Sequence, residues 1–189
     1  MEGVLVPEIW IEFAKKTGIK ELRLTTRDIP DYDVLMKRRL KILSENKLKL
    51  KDIQRVIAKI RPLPGARAFL DRLREERQVL ILSDTFYEFA MPLIKQLGYP
   101  VLWCNWLEVN KKNEITGYRL RQPNGKEKAV RAIQSAGFKV SAAGDSYNDV
   151  LMLKAADKGI FFNPPPAIAK HFSQFKVVKD YKNLLNALI

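Results

Sequence analysis

The sequence predicts an α/β fold in which a parallel sheet carries helices on both faces and a small helical unit is inserted. Two observations support this prediction. From residue 66 onwards, short apolar runs typical of buried parallel strands alternate with segments of helical periodicity. Residues 9–60 carry helical spacing alone, and the stiff segment 61–65 (Arg-Pro-Leu-Pro-Gly) separates the two patterns, which indicates a domain boundary.

Three helices are predicted before that boundary. The first covers residues 8–17 and stops at Gly18, a residue that readily adopts the left-handed conformation of a helix end. A chain break at residues 28–30 precedes the second helix, for which Asp31 is the expected N-cap. Apolar residues at helical spacing over residues 50–60 mark the third.

Beyond the boundary, residues 79–82 are continuously apolar and predict a parallel strand buried on both faces, which we expect Ser83-Asp84-Thr85 to end. A short strand is expected at 101–104, and the segments 106–109 and 115–118 flank a polar turn that predicts a β-hairpin. Further strands are predicted at 140–143, 159–162 and 177–178, with helices between them.

Composition narrows the class of protein. No apolar run approaches the roughly 20 residues needed to span a bilayer, and the start Met1-Glu2-Gly3 lacks the pattern of a signal peptide. The single cysteine, Cys104, excludes an internal disulfide and fits the reducing cytoplasm. The single histidine, His171, is expected on a surface helix and gives little support to a histidine-bound zinc site.

The formal net charge is +13, and the excess is spread along the chain: residues 1–63 hold 15 Lys and Arg against 9 Asp and Glu. Diffuse positive charge can bind nucleic acid in a salt-sensitive way. The sequence contains no nucleic-acid recognition motif, however. We therefore expect a basic surface that attracts small anionic substrates.

Residues 142–149 (Ala-Ala-Gly-Asp-Ser-Tyr-Asn-Asp) form the most informative stretch. A short apolar run leads into Gly144, which allows a sharp turn, and a helical pattern follows. Asp145 and Asp149 are close enough in sequence to serve one hard cation at the mouth of a sheet. The alternative is that Asp149 is only a helix N-cap and Asp145 is solvated.

Other polar residues lie at predicted strand or helix ends in a suggestive order: Glu2 near the start, Ser83 after an apolar strand, and Lys126 before a helix. With Asp145 and Asp149, they resemble the motifs of the haloacid-dehalogenase superfamily of phosphohydrolases. The helical insert after the first motif is similar to the cap of its phosphoserine-phosphatase branch. Four blocks carry this resemblance, at residues 2–8, 28–36, 82–89 and 143–149.

The resemblance implies a Rossmann-like core domain formed by residues 1–8 and 64–189, and a helical cap domain formed by residues 9–63. It implies a Mg²⁺-dependent cytoplasmic enzyme of serine biosynthesis that hydrolyses L-phosphoserine, with transfer of the phosphoryl group to homoserine and a homodimer as further expectations. A membrane partner is not expected.

The resemblance also assigns roles at the phosphate end of the site. Asp145 would be a metal ligand together with the carbonyl of Glu2, and Asp149 would support the metal shell. The Glu2 carboxyl would protonate the leaving alkoxide and then accept a proton from the attacking water. Ser83 would donate a hydrogen bond to the phosphoryl group, and Lys126 would neutralise its charge.

At the cap end, Glu8 and Arg39 resemble the pair that binds the ammonium and carboxylate of the substrate, and Asp84 and Asn148 would complete the pocket. Each assignment has a structural alternative. Ser83 could cap the following helix, while Lys126 and Arg39 could be solvated members of basic clusters.

Glu8 could simply place a negative charge at a helix N-terminus. The aromatic residues Trp103, Trp106 and Tyr118 are expected to be packing residues rather than a ligand cage.

One departure from the family pattern matters. The motif reads Asp-Leu-Glu-Gly-Val-Leu-Val after an apolar strand, whereas this sequence begins Met1-Glu2-Gly3. Residues 1–189 therefore lack the first core strand and the aspartate that forms the aspartyl phosphate. We expect a truncated or wrongly started sequence. The alternatives are an inactive phosphate-binding protein and a basic nucleic-acid-binding protein.

Overall fold

The computed structural model describes residues 1–25, 28–29 and 31–189. It confirms the α/β class, because helices alternate with strands after residue 65. The strands are β1 (Leu80–Phe86), β2 (Val101–Val109), β3 (Ile115–Arg119), β4 (Ser141–Gly144), β5 (Lys158–Phe162) and β6 (Lys176–Val178).

The α-helices are α1 (Ile9–Thr17), α2 (Tyr32–Glu45), α3 (Leu50–Ile57), α4 (Ala66–Glu76), α5 (Tyr87–Gln96), α6 (Gly125–Ser135), α7 (Val150–Ala155), α8 (Pro166–His171) and α9 (Tyr181–Leu188). Short 3₁₀ helices cover Lys20–Arg23 and Tyr147–Asp149. Within the described ranges, none of the helices has the length and apolar character that a membrane crossing requires.

The strands form two three-stranded sheets. In the first, β1 is parallel to β2, and β2 pairs with β3 as the predicted hairpin. In the second, β4, β5 and β6 are all parallel. Among the described residues, no strand pairs with both β1 and β4. Each of these two strands therefore ends its own sheet.

Local sequence signals set the ends of the first helices as predicted. Gly18 follows α1 with φ 76° and its N–H bonds to the carbonyl of Ala14, as expected for a left-handed helix end. The carboxylate of Asp31 accepts a hydrogen bond of 3.0 Å from the N–H of Val34 and caps α2. The predicted break at Pro30 lies outside the described residues.

Two strand predictions are wrong. Ser83-Asp84-Thr85 does not end β1, which continues to Phe86, and β2 is one strand rather than a short strand followed by a separate hairpin arm. The reason is a tertiary contact. The side chain of Asn105 in β2 donates a hydrogen bond of 2.9 Å to the carbonyl of Asp84, so the two strands stay paired across an irregular register.

The prediction that both faces of β1 are buried is also wrong. Ile81 is buried, but Leu80 and Leu82 are only half-buried, since Leu82 packs at the margin of a hydrophobic cluster rather than inside it. The surface position predicted for His171 is confirmed.

Helices cover both faces of the second sheet. Along β5, Ile160 and Phe162 belong to the larger hydrophobic cluster, whereas Phe161 between them belongs to a second cluster with Val130 of α6 and Leu153 of α7. The larger cluster also contains Phe13 of α1 and other residues of segment 9–60. Helices α1–α3 thus share a core with the sheets, and the division into cap and core domains stays a prediction.

Tyr181 ties the last helix to the start of the chain. Its ring stacks on Phe69 and Phe162, at centroid distances of 4.9 and 5.0 Å, and its hydroxyl donates a hydrogen bond of 2.7 Å to the carbonyl of Val4. This contact supports the turn that carries Glu2.

Tyr181→Phe should lower the free energy of unfolding by about 1 kcal/mol, because the ring remains but the carbonyl of Val4 loses its donor. Urea unfolding measures this, with Tyr99→Phe as the control because Tyr99 is 60% exposed. Equal stability of the Tyr181 variant and the wild type would show that the hydrogen bond does not hold the turn.

Candidate active site

The candidate site lies beside the second half of β1 and at the end of β4. Ser83 and Asp84 lie within β1, where its register with β2 is irregular, and Asp145 directly follows β4. The carboxyl ends of parallel strands are where ligands bind in α/β folds. The tight turn over residues 1–6 lies against the same region, because Gly3 contacts the carboxylate of Asp145.

Lys126 is the centre of the charged network. It is the second residue of α6, rather than a residue before the helix, and its side chain is only 14% exposed. Its ammonium lies 2.7 Å from a carboxylate oxygen of Asp84 and 2.9 Å from one of Asp149. Burial favours the neutral amine, but the two carboxylates outweigh it and hold the pKa of Lys126 above its ordinary value. The alternative of a solvated lysine is excluded.

Asp149 organises the loop after β4. One of its oxygens accepts from Lys126, and the other accepts from the N–H of Asp145 at 3.0 Å and from the N–H and hydroxyl of Ser146 at 3.3 and 3.2 Å. Burial would raise the pKa of Asp149, but Lys126 and these donors hold it below its ordinary value. Asp149 precedes α7 without a side-chain capping bond to it, so the N-cap alternative does not describe its role.

Asp145 carries a carboxylate that has no cationic side chain as a partner among the described residues. In the described part of the chain it forms no ion pair with Lys or Arg. Burial and the neighbouring Asp149 raise its pKa to about 6. The close approach of the N-terminal turn requires glycine: a Cβ on Gly3, where φ is 72°, would lie 2.2 Å from the Asp145 carboxylate.

Glu2 lies at the base of the turn that Gly3 forms. Its carboxylate accepts a long hydrogen bond of 3.4 Å from the N–H of Ile9 at the start of α1. Burial raises the pKa of Glu2 to about 7, although the N-terminal ammonium and the Ile9 N–H oppose the shift. A carboxyl group with a pKa near neutrality can both donate and accept a proton.

Ser83, Asp84 and Lys126 share a small cavity of about 20 Å³ with residues of the hairpin. The Ser83 hydroxyl accepts a hydrogen bond of 3.3 Å from the N–H of Thr85, two residues on. This contact leaves the hydroxyl proton available to a ligand. Ser83 lies inside β1 rather than at a helix end, so it is not the cap of α5.

Arg39 is 6% exposed, which excludes the solvated alternative. Its Nη2 donates to the carbonyl of Leu24 at 2.7 Å, its Nη1 lies 3.7 Å from the sulfur of Met36, and its Nε has no partner among the described residues. Burial lowers the pKa of Arg39 to about 10, and the charges of Tyr32, Glu2 and Glu8 oppose this shift. No carboxylate pairs with it in the described ranges.

The structure brings together five of the predicted residues, Ser83, Asp84, Lys126, Asp145 and Asp149, but not all of them. Glu8 is exposed at the N-cap of α1 and makes no side-chain capping bond; it acts on Glu2 and Arg39 only through its charge. Asn148 is exposed in the 3₁₀ turn.

The residues that the structure describes offer a magnesium ion one or two carboxylates rather than a full set of protein ligands. The described residues contain no group of three or more His, Cys, Asp and Glu that could hold a metal. Mg²⁺ commonly takes one or two carboxylates and completes its shell with waters or carbonyls. Asp145, half-buried beside a second carboxylate and without a cationic side chain, is the donor that would gain most from such a cation.

Four residues at the site were not predicted from the sequence as site residues. Gly3 allows the close approach to Asp145, Ser146 bonds to Asp149, Asn105 bridges β1 and the hairpin, and Trp10 lies against Arg39. The pattern of Ser146 followed three residues later by Asp149 is a capping-box signal that could have indicated the second of these contacts.

Comparisons with known proteins identify the family of this chain. Residues 6–157 match the family model described as haloacid dehalogenase-like hydrolase. The chain is 57% identical over 184 residues to phosphoserine phosphatase ThrH of Pseudomonas aeruginosa, covering 97% of this chain and 90% of the relative. It is 54% identical over 189 residues to a phosphoserine phosphatase of Pseudomonas syringae pv. tomato, covering 100% and 80%.

A solved structure of a phosphoserine phosphatase in its apo form is similar in fold, with a TM-score of 0.79 at 24% sequence identity; the match covers 100% of this chain and 96% of that one. The family match spans most of the chain and includes the segments that carry Lys126 and Asp145. This chain belongs to the haloacid dehalogenase-like hydrolase family.

Proposed function

We propose that this protein is a Mg²⁺-dependent phosphomonoesterase that acts on L-phosphoserine in serine biosynthesis, in the cytoplasm. The similarity to two proteins named phosphoserine phosphatase, at 57% and 54% identity, supports the substrate. The charged residues of the site support this substrate independently. Lys126 is suited to a phosphoryl group, and Arg39 and Glu8 are suited to the carboxylate and ammonium of an amino acid.

The single observation that best supports phosphoserine as the substrate is the burial of Arg39 without a carboxylate partner among the described residues. A buried guanidinium is costly unless an anion or hydrogen bonds compensate it, and Arg39 lacks a carboxylate partner among the described residues. A substrate carboxylate would supply that partner. We propose that Glu8, exposed nearby, binds the ammonium group, and that residues 9–63 form a cap over the site.

At the other end, Lys126 and the hydroxyl of Ser83 would bind the phosphoryl oxygens. The Lys126 ammonium has a third proton beyond its two carboxylate contacts. Asp84 and Asp149 keep the ammonium charged and in place, and Asn148 completes the pocket. A phosphoryl dianion placed here would meet the Lys126 ammonium, but the flanking carboxylates leave the cluster net negative, so a metal cation would also be needed to offset the charge of the dianion.

Asp145 and the carbonyl of Glu2 would hold Mg²⁺, with Asp149 in a supporting role. When bound, the ion would offset the charge of the phosphoryl group. The Glu2 carboxyl, with a pKa of about 7, would protonate the leaving serine alkoxide and then take a proton from the attacking water.

The nucleophile of this chemistry would be an aspartate two positions before Glu2, in a strand that precedes Met1. This aspartate would attack the phosphorus atom and form an aspartyl phosphate as the serine alkoxide leaves. Such a strand could pair with the free edges of β1 and β4, which have no partner on that side in the described residues. We also propose homoserine as an alternative phosphoryl acceptor and a homodimer as the assembly.

Protein that carries the residues encoded upstream of Met1 should release phosphate from L-phosphoserine in the presence of MgCl₂, and residues 1–189 alone should bind phosphoserine without releasing phosphate.

Lys126→Met in the extended protein should reduce kcat/KM at least about 100-fold, because the phosphoryl group loses its fixed cation. A phosphate-release assay measures both.

Binding without turnover by the extended protein would instead favour an inactive phosphate-binding protein. Adding homoserine to the same assay and detecting phosphohomoserine by mass spectrometry tests the transfer reaction, and its absence would limit the protein to hydrolysis.

Gly3→Ala should abolish the rise in melting temperature that Mg²⁺ produces, because the new Cβ would displace the Asp145 carboxylate. Gly18→Ala is a matched control: its φ of 76° is also left-handed, but nothing lies within 4 Å of the added Cβ. The control should be destabilised by about 1 kcal/mol from backbone strain and keep its response to Mg²⁺. A normal response in Gly3→Ala would show that Asp145 is not a metal ligand.

A further inference from the structure

Trp10 lies against the guanidinium of Arg39. The distance from Cζ of Arg39 to the centroid of the Trp10 ring is 4.5 Å, within the range of a cation–π contact. The two residues come from different helices, α1 and α2. Because Arg39 is buried, this contact is formed away from bulk water, where it is strongest.

Trp10 is itself held in place by aromatic packing. Its ring makes edge-on contacts with Phe89 of α5 and Phe13 of α1, at centroid distances of 5.3 and 6.4 Å. Phe89 and Phe13 are each only 1% exposed. The indole therefore connects the buried core to the guanidinium, and a loss of the indole would leave one side of Arg39 unsupported.

The other contacts of Arg39 leave bonding capacity unused. The carbonyl of Leu24 accepts a hydrogen bond from Nη2, and the sulfur of Met36 is a weak acceptor for Nη1. The Nε atom has no partner among the described residues. A guanidinium binds a carboxylate well only when its planar fork is correctly oriented. Its orientation here depends on the Trp10 ring and the Leu24 carbonyl.

We propose that Trp10 is a positioning residue for substrate specificity: it orients the guanidinium of Arg39 so that the site selects phosphorylated ligands that carry an α-carboxylate. This inference rests on the proposed function, in which Arg39 binds the carboxylate of phosphoserine. Trp10 does not need to touch the substrate in this role.

Two phosphonates that differ in the carboxylate test the proposal. L-2-amino-4-phosphonobutyrate replaces the ester oxygen of phosphoserine by a methylene group, and 3-aminopropylphosphonate is the same molecule without its carboxylate. Neither can be hydrolysed, so isothermal titration calorimetry in MgCl₂ reports binding alone. The wild type should bind the carboxylated ligand at least about tenfold more tightly.

Trp10→Leu should weaken binding of the carboxylated ligand about tenfold and leave the carboxylate-free ligand unchanged. Trp10→Phe keeps an aromatic face and should retain most of the discrimination. Trp106→Leu, at a tryptophan that is 43% exposed on β2, is the control and should behave as wild type. Retained binding of the carboxylate-free ligand also shows that the Trp10 variants are folded.

If Trp10→Leu weakened the binding of both ligands equally, Trp10 would have only a structural role. If the variant still distinguished the two ligands as the wild type does, Arg39 would not depend on Trp10. Either result would overturn this inference and leave the proposed function standing. A wild type that does not distinguish the two phosphonates would contradict the proposed role of Arg39, and the inference would fail with it.

Discussion

The site depends on one interaction, the contact of the Lys126 ammonium with the carboxylates of Asp84 and Asp149. Asp84 lies on β1 and Asp149 follows β4, and these strands belong to different sheets. Lys126 thus connects the two sheets at the end where the ligand would bind. A buried ammonium placed between two carboxylates stays charged at all physiological pH values, and a fixed cation is what a phosphoryl group requires.

The same contact explains the different states of the two aspartates after β4. Asp149 accepts hydrogen bonds from Lys126 and from the loop, so its negative charge is stabilised. Asp145 has no bonded cation among the described residues, and burial together with the charge of Asp149 raises its pKa to about 6, although Lys126 opposes this rise from a distance. Two carboxylates four residues apart therefore differ in environment: Asp149 is held by hydrogen bonds, whereas Asp145 is the carboxylate that we propose as a metal ligand.

Local sequence signals predicted much of the fold. Gly18 and Asp31 end and begin their helices as expected, because their effects act within a few residues. The extent of β1 could not be predicted, since it depends on Asn105, 21 residues further along the chain. For the site, the motif resemblance pointed to Lys126 but did not predict its contacts with Asp84 and Asp149. The contact of Trp10 with a residue on another helix left no signal in the sequence.

A double-mutant cycle between Lys126→Met and Asp149→Asn, followed by urea unfolding, tests the central contact most directly. If Lys126 neutralises a buried carboxylate, the two changes together should cost less than their sum, with a coupling energy of about 2–3 kcal/mol. A coupling energy below about 0.5 kcal/mol, as found for exposed ion pairs, would contradict the account.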